Sequence, residues 1–138
     1  MMETKTHLLE KKDMTDSQVV PEWVTAEYKT FHDIVTNPTF PCYFGMKAEK
    51  KDELRYAYIT HNDWSSLPKA VESFLELFKE PPHIRHGLFV FVEPEKEEKD
   101  IPYYRDYFWR ILQYLHEHDP KTWPDDKPKD PEHFLWDF

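Results

Sequence analysis

Residues 54–93 read LRYAYITHNDWSSLPKAVESFLELFKEPPHIRHGLFVFVE, and the class of the fold turns on how this stretch is divided. LRYAYI (54–59) alternates like a strand, with Leu54, Tyr56 and Tyr58 on one face and Arg55, Ala57 and Ile59 on the other. GLFVFVE (87–93) is almost continuously apolar, the pattern of a strand covered on both faces. Between them, Ser65 or Ser66 can cap a helix that starts near Leu67-Pro68. Val71, Phe74, Leu75 and Phe78 give that helix an apolar stripe, and Pro81-Pro82 stops it. Strand, helix and strand in this order fit a βαβ-like unit with a right-handed crossover, because parallel strands need a long connection. The expected class is therefore α/β (or α+β): a small mixed sheet with packing helices.

Upstream, a helix is expected from Pro21 to about Thr36, with Val24, Tyr28, Phe31 and Val35 on one stripe. Asn37-Pro38 ends it. FPCYFGMK (40–47) is aromatic and lies between breakers, which reads as a short strand or extended loop. Ala48–Glu53 is charged and long enough for one helical turn. Residues 1–16 are charged and without a usable period, the character of a disordered tail, leaving 17–138 as one domain.

Downstream, EPEKEEKD (93–100) is a solvated charge run. Asp100 can cap a helix from about Pro102 to His118 whose apolar face is Tyr104, Phe108, Ile111, Leu112 and Leu115. Arg105, Asp106, Arg110, Gln113 and Glu117 face water. DPKTWPDDKPKDPE (119–132) is too rich in proline for a regular element, and HFLWDF (133–138) has the alternation of a strand beginning.

Composition excludes several functions. Eighteen basic side chains stand against 27 acidic ones, a formal charge of −9. The one lysine-rich stretch, KAEKKDELR (47–55), is interleaved with acids, so neither a nucleic-acid nor an anionic-membrane partner is expected. No apolar run is long enough to span a bilayer, and residues 1–14 do not read as a secretory signal. A single cysteine allows no internal disulfide, which fits a reduced, cytoplasmic setting. Two glycines exclude a phosphate-cradling loop. Aromatics reach 17%, with five tryptophans, enough to fill a small core or to wall a pocket for a flat ligand.

Cys42 is open to three readings: a buried core thiol, a thiolate nucleophile, or a ligand to haem iron. His83 and His86 lie three apart in an expected loop. His116 and His118 lie two apart on a helix, which turns their rings to different sides, so neither pair has zinc-site spacing. The helix macrodipole accounts for His116 and His118. The acidic pairs Glu97-Glu98 and Asp125-Asp126 sit in charge runs. Arg55, Arg105 and Arg110 are candidates for binding a propionate or a substrate carboxylate.

FPCYFG (40–45), LRYAYI (54–59), YYRDYFWRILQYLHEHDPKTWP (103–124) and DPEHFLWDF (130–138) together resemble the front portion of the YqcI/YcgG family, from about Phe40 to the last residue. The resemblance implies haem-dependent N-hydroxylation of a guanidine-type nitrogen on an arginine-like, small cationic substrate, as in guanitoxin biosynthesis. It implies haem as cofactor, dioxygen or a reduced oxygen species, and Cys42 as the candidate axial ligand. Proteins of that family continue past the W-x-F position into a second portion with basic and histidine-containing motifs. This chain is therefore expected to be a truncated or short family member. It is either part of the oxidoreductase or a non-catalytic interaction module that self-associates through exposed aromatics.

Overall fold

In the computed structural model, residues 8–77, 79, 87–120, 125 and 126 are described. They fall into two compact units, one ending at Glu93 and the other beginning at Pro94. The expected loop at 119–132, the histidines His83 and His86 and the terminal HFLWDF lie wholly or mainly outside the described residues.

The first unit is built on two parallel strands, β1 (Leu54–Ile59) and β2 (Gly87–Val92), paired in register from Leu54↔Gly87 to Ile59↔Val92. β1 has the bounds its sequence suggests, β2 ends one residue before the expected Glu93, and the mixed α/β class holds. Helix α3 (Leu67–Leu77) makes the crossover. Asp63 sets its entry: its carboxylate accepts from the Ser65 hydroxyl at 2.6 Å and the Ser65 N–H at 3.0 Å, which holds that carboxyl below its usual range. The buried residues of α3 are Leu67 and Ala70, not the stripe expected at Val71, Phe74, Leu75 and Phe78. Leu75 turns to solvent, and the side chain of Phe78 lies outside the description. Ala70 is completely buried, and a count of bulky apolar residues overlooks so small a side chain.

Helix α1 (Glu22–Val35) follows Pro21 and buries Val24, Tyr28 and Val35. Phe31, on the same stripe, lies edge-on to Tyr56 and Phe91 and 4.5 Å from Phe89, so α1 covers one face of the sheet with aromatic contacts.

Two expectations are corrected here. Residues 8–16 are not a solvated tail. Leu9 exchanges both backbone hydrogen bonds with Tyr56, at 2.8 and 2.9 Å, on the edge of β1 away from β2. A 3-10 turn, Lys11–Thr15, then carries Met14 into the core with no exposed surface. Two apolar side chains anchor a segment that is otherwise charged. FPCYFGMK is not extended either: helix α2 runs Tyr43–Lys50, with Cys42 as its N-cap. At its far end Asp52 adopts φ 57°, and the Glu53 N–H reaches Ala48 O while the Asp52 N–H reaches Glu49 O. This paired closure ends the helix and feeds the chain directly into β1.

The second unit contains α4 (Ile101–Glu117). Asp100 caps it as expected, accepting from Tyr103 N at 3.0 Å. Its buried residue is Tyr107, whereas Tyr104 and Phe108, expected on the covered face, are exposed. The preceding loop explains the rotation: Glu95 folds back to accept from the Tyr103 hydroxyl, and Tyr103 packs its ring near Tyr107.

If the Met14 segment belongs to the core, Met14→Ala costs about 2–5 kcal/mol of unfolding free energy in urea titration. A loss below about 0.5 kcal/mol would return residues 8–16 to the solvated tail.

Candidate functional site

Helix α2 carries two chemically distinct ends. Near its C-terminus, Glu49 is completely buried. A carboxylate taken out of water is costly unless its oxygens are bonded, and here they are. The Tyr28 hydroxyl donates to Oε1 at 2.6 Å, and the Tyr56 hydroxyl donates to Oε2. His32 Nδ1 lies 2.8 Å from Oε1. Lys11 Nζ stands 3.9 Å from Oε1 and donates to the Glu49 carbonyl at 3.0 Å. One side chain thus joins α2 to α1, β1 and the N-terminal segment. Both phenols are pushed far above the ordinary tyrosine range, first by burial, then by their hydrogen bonds to Glu49 and by its charge. His32 and Lys11 are the partly exposed members, with 36% and 33% of their side chains accessible.

At the N-terminal end, Cys42 is exposed. Its Sγ accepts from the Gly45 N–H at 3.3 Å. The expectation of a buried core thiol, drawn from its aromatic neighbours, does not hold, because those neighbours are themselves exposed: Tyr43 at 62% and Phe44 at 65%. A Cβ at Gly45 would lie 3.4 Å from Sγ and 3.5 Å from Phe40 Cε1, so glycine leaves bare backbone beside the sulfur. The His32 Nδ1 is committed to Glu49.

The three candidate arginines are dispersed. Arg55 donates to Asp52 O at 2.9 Å and Leu54 O at 2.8 Å, and pairs with Asp52 and Glu10 at 3.7 and 3.9 Å. None of these bonds reaches Cys42. Arg105 is exposed and lies 3.7 Å from Asp106, and Arg110 lies over the Tyr107 ring at 5.1 Å, both in the second unit. His118 Nδ1 lies 2.8 Å from Tyr114 O at the end of α4. Among the described residues, no group of three His, Cys, Asp or Glu side chains is arranged to hold a metal ion, and no helix is long and apolar enough to cross a membrane. The first unit also has a cleft of about 440 Å³ lined by Leu8, Glu10, Asp13, Arg55, Ser73, Glu76 and Leu77. Three carboxylates against one guanidinium make it acidic, and Cys42 does not line it.

Sequence reasoning missed Glu49. Its partners lie 21, 17 and 7 residues away in the chain, and it is embedded in a lysine-rich, charged stretch. The available signal was weak: Glu49 falls on the same face of α2 as Gly45 and Met46, at helical spacing.

A parallel βαβ unit covered by an aromatic helix, with a short helix presenting an exposed thiol, defines a small mixed α/β domain. The profile of the YqcI/YcgG family matches residues 31–138, and the chain belongs to that family. It is 29% identical to the YcgG protein of Bacillus subtilis (strain 168) over 127 residues, covering 86% of this chain and 50% of the relative. It is 27% identical to YqcI of the same organism over 142 residues, covering 96% and 56%. It is also 27% identical over 116 residues to DcsA of Streptomyces lavendulae, a putative N(omega)-hydroxy-L-arginine synthase, covering 77% and 44%. The chain spans about half the length of these curated relatives. No solved structure matches it.

Two outcomes test the Glu49 cluster. Glu49→Ala strands two buried hydroxyls and is expected to cost about 3–5 kcal/mol in chemical denaturation. A cost near zero would show that the carboxylate is not buried among them. The second test is alkaline. Because the folded-state pKa of Tyr28 and of Tyr56 is raised, the stability each contributes is complete below the unfolded value near 10 and is lost as pH rises above it. Unfolding free energy should fall above pH 10 by up to about 2.7 kcal/mol per pH unit for the pair. The Tyr28→Phe/Tyr56→Phe double variant should lose that slope, and an unchanged slope would contradict the assignment.

Proposed function

We propose that the chain is a haem-binding domain of oxidoreductase type, serving N-hydroxylation of an arginine-like guanidine nitrogen. The similarity to DcsA supports this reading of the chemistry. The observation that carries it to a residue is the exposed Cys42 sulfur at the head of α2, inside the family match.

The residues around Cys42 fit the group. The sulfur is accessible and accepts one backbone N–H, from Gly45. Gly45 leaves bare backbone beside it, and Tyr43 and Phe44 offer exposed apolar rings against which a flat macrocycle can pack. Cys42 Sγ would hold the iron, and the Gly45 N–H would orient the sulfur and moderate its charge, a lever by which proteins tune such ligands. Bound haem with a thiolate ligand supplies oxygen activation, because the thiolate pushes electron density toward the iron. Arg105 and Arg110 are exposed residues of the second unit, and the haem site proposed on Cys42 does not draw on them. To bind a propionate or substrate carboxylate, Arg55 would first have to exchange its pairs with Asp52 and Glu10. The net negative charge favours approach of a cationic substrate.

A second reading is a non-catalytic interaction module, and the apolar strand β2, none of whose residues is buried, favours it. Haem titration of the purified chain separates the two. The oxidoreductase reading expects a saturable Soret band of thiolate type that is lost or shifted in Cys42→Ala, with an unchanged thermal melt. Absence of the band, or a band identical in Cys42→Ala, would remove Cys42 and leave the module.

A further inference from the structure

Strand β2 is composed like an interior strand and placed like an edge. Gly87–Val92 is apolar throughout, yet none of its six residues is buried, whereas four of the six in β1 are. Phe89 is 40% exposed although Phe31 packs on it. β1 is bordered on both sides, by β2 and by Leu9. Among the described residues, β2 pairs only with β1. Its open edge can be located atom by atom. The Glu93 N–H bonds Ile59 O, so by strand alternation Phe89 and Phe91 turn their N–H groups toward β1. The N–H groups of Leu88, Val90 and Val92 then point away from the sheet. Natural sheet edges carry lysine, proline, inward charges or bulges that discourage pairing. Residues 87–92 carry none of these. A two-stranded parallel sheet is also marginal by itself. The relatives, meanwhile, have about as much chain again outside the match as within it.

We infer that the open edge of β2 seats a further strand, supplied by the portion of the family's length that this chain does not match. The occupant is an extended, apolar polypeptide segment joined by backbone hydrogen bonds to Leu88, Val90 and Val92, a β-augmentation. This rests on family membership and strand geometry and is independent of haem.

The test mixes the 138-residue chain with the unmatched portion of B. subtilis YcgG and follows amide exchange by NMR. A 1:1 complex is expected, with exchange at Leu88, Val90 and Val92 slowed at least tenfold and Phe89 and Phe91 little changed. Val90→Pro removes an outward N–H and spares the β1 ladder. It should leave the melt of the isolated chain within a few degrees while weakening the complex at least tenfold. Where Val90→Pro unfolds the chain, the exchange pattern of the unaltered protein decides. Three results would each overturn the inference: no complex, outward amides already protected in the isolated chain, or protection that arises from a second copy and is insensitive to the added polypeptide.

Discussion

The first unit depends on one buried carboxylate. Glu49 receives hydroxyls from α1 and β1, an imidazole from α1 and an ammonium from the N-terminal segment, so four groups from three pieces of chain converge on two oxygen atoms. Burying a charge without such partners would cost several kcal/mol, and each partner is useful only if the others are in place. That reciprocity fixes geometry more sharply than apolar contact does. Tyr28 and Tyr56 must project toward α2, which orients the stripe of α1 over the sheet.

The same constraint governs the other end of α2. A helix of eight residues has little stability of its own in water. It persists because Glu49 is clamped at one end, the left-handed turn at Asp52 ties it to β1, and Cys42 caps it at the other. Position and exposure of the thiol are therefore consequences of packing two turns away. The proposed chemistry needs that combination: a capped helix that holds a sulfur at the surface, followed in the chain by two exposed aromatic residues.

The strands were legible because local pattern and bounding residues agree: alternation in LRYAYI, an apolar run in GLFVFV, and prolines and charges beyond them. The stripe of α1 and the cap at Asp100 were legible for the same reason. Helix α2 was hidden, since aromatic residues around a proline favour an extended reading and cysteine is an uncommon cap. Met14 was hidden because one methionine among charges carries no period. Glu49 looked like its neighbours in KAEKKDE, and only partners distant in sequence distinguish it. Cys42 stood out by being the one cysteine, but its exposure depends on how α2 is held, which no local pattern records. The arginines were identified by residue type, and the fold commits Arg55 to backbone and carboxylate partners.

The central functional claim is that the Cys42 sulfur ligates haem iron, and electron paramagnetic resonance of the ferric complex reports the ligand directly. The account expects the rhombic low-spin signal of a thiolate-bound iron, absent from Cys42→Ala. A signal of histidine-ligated or axial high-spin iron, the same in both proteins, would contradict it.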